Sequence, residues 1–136
     1  MHIIGLYGHG SCGKSATLNF LKELLREAGK SISHTPHPNS DTPETFEYKG
    51  RVVCVAPGGD TEEIVERNIK YFKLKKCDIA ISATRTSGGS VKALQRYEQE
   101  EQSEIEWIRK SYEYNLGQAT QELCNKETSQ YIFNSL

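Results

Sequence analysis

Eight residues near the start of the chain, Gly8-His9-Gly10-Ser11-Cys12-Gly13-Lys14-Ser15, carry the most chemistry. Glycines at this spacing let the backbone take positive φ, so that successive N–H groups turn into one concavity suited to an anion. A helix starting near Lys14 adds the positive end of its dipole. Lys14 then supplies a cation for the β- and γ-phosphates of a nucleoside triphosphate, and the Ser15 hydroxyl an oxygen ligand for Mg²⁺. At ordinary residue frequencies a chain of this length carries this octet by accident on the order of once in 200 cases. An apolar run before it and an amphipathic pattern after it make accident rarer still.

The octet resembles the Walker A motif of the P-loop nucleoside triphosphatases, matching G-x-x-x-x-G-K-[ST] at every fixed position. The resemblance covers eight residues and implies triphosphate binding by residues 8–15 and an α/β fold. The octet is also similar to the loop G-K-G-G-x-G-K-[ST] of a family of dimeric ATPases that includes partitioning proteins. That family's additional lysine would fall at position 9, which is His9 here, so its role is not carried over.

A magnesium site of this kind needs an acid just past a buried strand. Val52–Val55 is such a strand, and the turn after it, Ala56-Pro57-Gly58-Gly59-Asp60, offers Asp60. The alternative role for Asp60 is to cap the following helix, with Glu63 completing a capping box. The D-x-x-G turn of GTPases is absent, since Val55 and Ala56 stand where its aspartate would. The base-reading N-K-x-D is absent too: Asn125-Lys126-Glu127-Thr128 lacks the aspartate and sits in a helical pattern. ATP is therefore the expected nucleotide. A second polar turn, Thr84-Arg85-Thr86-Ser87-Gly88-Gly89-Ser90, offers hydroxyls, N–H groups and a guanidinium. Arg85 would act there as a clamp on a substrate anion or on charge developing at a γ-phosphoryl group.

The elements that must position these turns alternate. Residues 2–7 read as a buried strand and 14–28 as a helix with Leu18, Leu21, Leu24 and Leu25 on one face. Lys30–Thr35 suggests a short strand. The Pro-rich segment 36–43 excludes regular structure, and loop 34–44 is a candidate lid that could bring Asp41 or Thr42 to the metal. His34 and His37 read as solvated loop residues. Thr45–Tyr48 and Arg51–Ala56 flank a Lys49-Gly50 hairpin turn. Thr61–Phe72 reads as a helix, Asp78–Ala83 as a buried strand, and Ser90 as the cap of a helix to about Tyr97. Glu98–Gln102 reads as a solvated acidic link, Glu104–Lys110 as a strand, and 117–134 as a helix. The expectation is one domain over 1–136, an α/β three-layer sandwich with a mostly parallel sheet of about five strands. Ligands of such sheets bind at the carboxyl ends of the strands, where the three polar turns fall.

The chain has 136 residues, a net charge of -1 and a mean hydropathy of -0.62. That balance gives no basis for nucleic-acid steering or membrane attraction. No apolar run reaches the roughly 18 residues of a membrane span. The apolar start is too short for a signal peptide and lacks a basic leader. Cysteines at 12, 54, 77 and 124 stand at uneven gaps that suit neither a disulfide framework nor a zinc site, which points to reduced cysteines in a cytoplasmic protein. Three readings follow. The first is ATP binding with Mg-dependent hydrolysis, serving as a switch read by a protein partner. The second is a small nucleoside or metabolite kinase holding its acceptor near Arg85. The third is a nucleotide-binding subunit without turnover. Oligomeric state is not legible in the sequence.

Overall fold

A computed structural model describes residues 1–33, 38–110 and 117–136. In chain order the elements are β1 (His2–Tyr7), α1 (Lys14–Ala28), β2 (Lys30–Ser31), β3 (Glu44–Tyr48) and β4 (Arg51–Ala56). They continue with α2 (Glu62–Lys75), β5 (Ile79–Thr84), α3 (Gly89–Glu101), β6 (Ile105–Arg109) and α4 (Gln118–Asn134). The strands form one six-stranded sheet in the order β2-β3-β4-β5-β1-β6. This is one strand more than the roughly five expected. It is also mixed: β4, β5, β1 and β6 run parallel, and β3 is antiparallel to both its neighbours.

Alternation along the strands builds two cores. Ile4, Leu6, Val53, Val55, Ile79 and Ile81 face Leu18, Leu21 and Leu25 of α1 and Ile132 of α4. Ile3, Cys54, Ala56 and Ala80 face Val65, Ile69 and Phe72 of α2 and Ala93, Leu94 and Tyr97 of α3. A strand covered on both faces must be apolar at successive positions, which is why Val52–Ala56 and Ile79–Ala83 carry little polarity. The Lys49-Gly50 turn has φ of 51° and 73° at its two residues, the left-handed pair that matches strand twist in a tight hairpin.

Several boundaries differ from expectation. β2 has two residues, and His34 and His37 lie outside the described residues. α2 starts after Thr61, whose hydroxyl accepts from the Ile64 N–H at 3.2 Å, so the cap is Thr61 and not Asp60. α3 opens after Gly88, at φ 90°, with no side-chain cap; Ser90 Oγ accepts instead from the Arg85 N–H at 3.0 Å and closes the 85–90 turn. The expected acidic link is the last turn of α3: Glu98 accepts from the Ile105 N–H at 2.7 Å, and Gln102 ends the helix in a left-handed conformation. Among the described residues no helix is long and apolar enough to cross a membrane.

Candidate functional site

The four parallel strands end at Tyr7, Ala56, Thr84 and Arg109, and the polar turns gather at those ends. Gly8 N–H donates to Thr84 O at 3.2 Å, and Lys110 N–H donates to Tyr7 O at 2.8 Å, so β5 and β6 clamp the start of the 8–15 loop from both sides. The loop turns through Ser11 at φ 59° and Gly13 at φ 97°. α1 then begins with no side-chain cap and no acid in its first turn. Its leading N–H groups, with the positive end of the helix dipole, thus open onto a cavity of about 240 Å³ lined by residues 11–16, Asp41 and 57–60.

Within the loop, His9 and Ser11 are exposed, while Cys12 is turned inward and buried. His9 Nδ1 lies 3.0 Å from the Gly10 carbonyl oxygen. A Cβ on Gly8 would stand 2.7 Å from Cys12 Sγ and 2.4 Å from Lys110 O, so the loop is packed tightly beneath. A Cβ on Gly10 would stand 3.0 Å from both terminal nitrogens of Arg85, whose guanidinium lies over that glycine. The Lys14 ammonium is nearly buried and donates to Gly8 O at 2.6 Å and His9 O at 3.2 Å.

Asp60 joins all three turns. Its Oδ1 lies 3.1 Å from Arg85 Nε and 3.5 Å from Lys14 Nζ. Gly59 makes this possible, because the chain there rests on the backbone of Ala83, 1.8 Å from where a Cβ would be. Two cations thus share one half-exposed carboxylate oxygen, an arrangement a second anion could enter by exchange.

Asp41 comes from the described part of the 34–44 loop, and its Oδ1 accepts from Ser15 Oγ at 2.5 Å. Residues of α1 hold it there. Asn19 Oδ1 accepts from the Ser40 N–H at 3.1 Å. Lys22, fully buried, donates to Ser40 O at 3.2 Å and Thr42 O at 2.7 Å, on either side of Asp41. Buried Glu44 lies 3.9 Å from Lys22 Nζ and accepts from Arg26 at 2.8 Å. Sequence reasoning missed Asn19 and Lys22. The signal was Lys22 itself, a charged residue on the stripe Leu18, Leu21, Leu25 that faces the core.

Burial pushes the Lys22 ammonium down from 10.5 to about 8, against the opposing pull of Glu44. Because its folded pKa lies below the unfolded value, the unfolded chain binds more protons between about pH 8 and 10.5. The stability that Lys22 contributes should therefore rise with pH across that window and stay flat below it. Urea unfolding of the wild type and of Lys22→Met should give a stability difference that shifts in the wild type's favour by about 2–3 kcal/mol from pH 7 to 10. A difference that is flat or moves the other way contradicts a charged, desolvated Lys22.

Among the described residues no group of three or more His, Cys, Asp or Glu side chains is placed to hold a metal ion alone. The oxygens at the mouth are the Ser15 hydroxyl and the carboxylates of Asp41 and Asp60. The arrangement can receive an anion against Lys14, Arg85 and the α1 terminus, with carboxylates beside it for a hard cation. No protein-family model, curated protein or solved structure matches this chain.

Proposed function

We propose that the chain binds Mg-ATP through residues 8–15 and hydrolyses it, with the 57–60 turn reporting the state of the γ-phosphate. The observation that carries this reading is the meeting of Lys14 and Arg85 on one carboxylate oxygen of Asp60, in a cavity that an uncapped helix start also lines. The loop N–H groups of His9, Gly10, Ser11, Cys12 and Gly13 cradle phosphates, while the Gly8 N–H stays on Thr84 O and anchors the turn. Lys14 turns from the Gly8 and His9 carbonyls to the β- and γ-phosphates. Cys12 contributes through its backbone, since its thiol is buried.

The oxygen set at the mouth fits Mg²⁺, which takes one or two carboxylates or hydroxyls and completes its shell with phosphate oxygens and water. Ser15 and Asp60 would hold it, with Asp41 as a further carboxylate beside Ser15. Bound there, the ion supplies neutralisation of phosphate charge. Arg85, 3.1 Å from Asp60, stabilises charge developing on the phosphoryl group as it passes to water. An incoming γ-phosphate competes with Asp60 for Lys14 and Arg85, so its arrival and loss shift the turn that leads into α2. That exchange is the physical content of a switch.

Asp60→Asn tests the role of this carboxylate. Because Thr61 caps α2, the melting temperature should stay within a few degrees of wild type. The tightening of ATP binding by Mg²⁺ should be lost, and phosphate release should fall about tenfold or more. Metal-dependent tightening that survives the substitution argues against Asp60 on the metal side.

A second reading, phosphoryl transfer to a small acceptor, draws on a neighbouring cavity of about 480 Å³ that shares Asp41 and Gly58 with the first. Its cation is Arg67, whereas Arg85 is engaged by Asp60. A nucleoside and metabolite panel that accelerates ADP formation favours this reading over hydrolysis.

A further inference from the structure

Helix α4 buries the wrong kind of residue for a core helix. Its inward positions are Gln121, Asn125, Ser129 and Ile132, so the stripe facing α1 is polar over its first two turns. Side-chain amides removed from water cost free energy unless they find partners, and a helix that only packed would carry apolar residues there. Gln121 Nε2 donates to Asn125 Oδ1 at a long 3.3 Å. Asn125 also meets the 8–15 loop directly: a Cβ on Gly13 would stand 2.5 Å from its Oδ1.

These amides line a cleft of about 480 Å³ between α1 and α4, together with Ala16, Phe20, Gln118 and Glu122. Ala16 lines both this cleft and the cavity over the loop. Arg85, Asp60 and Asp41 gather at Lys14 and Ser15. A triphosphate whose terminal phosphate meets those groups therefore leaves by way of Ala16, into the cleft. The Phe20 ring borders it, with Lys126 Nζ 5.2 Å from the ring centroid. A flat aromatic surface beside paired amides suits a nucleobase: the ring stacks, and an amide's adjacent donor and acceptor match the amino group and ring nitrogen of adenine.

We infer that the α1–α4 cleft is the nucleoside subsite and that Gln121 and Asn125 read an adenine base in it. This rests on the phosphate-loop reading above and can fail independently of it. The test titrates the full chain, with Mg²⁺, with ATP, GTP and inorganic tripolyphosphate. ATP should bind about tenfold or more tighter than either of the others. Gln121→Met and Phe20→Ala should each erase most of that advantage while leaving tripolyphosphate affinity unchanged, which also shows the loop intact. Tripolyphosphate binding as tightly as ATP overturns the subsite and leaves the phosphate loop standing. GTP binding as tightly as ATP overturns the adenine assignment, and variants that keep the full ATP preference overturn the placement in this cleft. Wild-type chain that binds none of the three overturns the phosphate-loop reading, and this inference with it.

Discussion

Lys14→Ala is expected to weaken Mg-ATP binding by about 100-fold or more while leaving the fold intact. Two charge-assisted hydrogen bonds, at roughly 1.5–3 kcal/mol each, account for that factor. The ligand-free geometry sharpens the expectation. Lys14 Nζ sits against the carbonyls of Gly8 and His9 and 3.5 Å from Asp60. Removing the ammonium therefore takes a cation from the phosphates and also leaves carbonyl and carboxylate oxygens facing them. The stability cost should be small, because the exposed carbonyls border a cavity that water can enter. Calorimetric titration gives the affinity and circular dichroism the fold. Affinity within threefold of wild type, in a folded variant, contradicts the assignment of Lys14.

The second large effect belongs to a residue with no polar side chain. Gly59→Ala should destabilise the protein by about 3 kcal/mol and reduce ATP turnover to a small fraction of wild type. The added methyl group would stand 1.8 Å from Ala83 O, 2.2 Å from Ala83 C and 2.9 Å from Thr84 N. Those are backbone atoms of a strand paired with β1 through Thr84 and with β4 as far as Ser82, so β5 yields little and the 57–60 turn must lift. Asp60 then leaves Lys14 and Arg85. Gly117→Ala is the contrasting control: φ is -67° and the added atom meets nothing within 4 Å among the described residues, so only the loss of glycine at the α4 N-cap, below about 1 kcal/mol, is expected and turnover should hold. Urea unfolding and phosphate release measure both variants. A Gly59→Ala protein as stable and active as wild type would mean that the turn is not seated on β5.

Most of the framework was legible because strong local signals coincide with burial. The apolar runs 2–7, 52–55 and 78–83 read as buried strands, and Lys49-Gly50 read as a hairpin turn. What escaped depends on which group each polar side chain meets once the turns are folded. Asp60 offered two roles, a magnesium-side acid and a helix cap; Thr61 takes the cap, and Asp60 meets Lys14 and Arg85, which no local pattern announces. Ser90 looked like a cap and instead closes the Arg85 turn. Glu98–Gln102 looked solvated, but Glu98 reaches the start of β6, a partner seven residues away. Loop 34–44 drew attention for Asp41 or Thr42, but not for the buried lysine that grips it, because lysine on an apolar stripe violates the pattern used to find the stripe. The polar stripe of α4 left no periodic signal to read. The 8–15 loop was the easiest feature to see because the residues that suggest its chemistry are eight neighbours in the chain.

The central claim, that residues 8–15 cradle the phosphates, is tested most directly by backbone amide chemical shifts of the full chain on addition of Mg-ATP. The amides of Gly10 to Ala16 should show the largest saturable shifts, and tripolyphosphate should reproduce the subset at Gly10 to Ser15. Saturable shifts centred elsewhere, with Gly10 to Ala16 unmoved, would contradict the account.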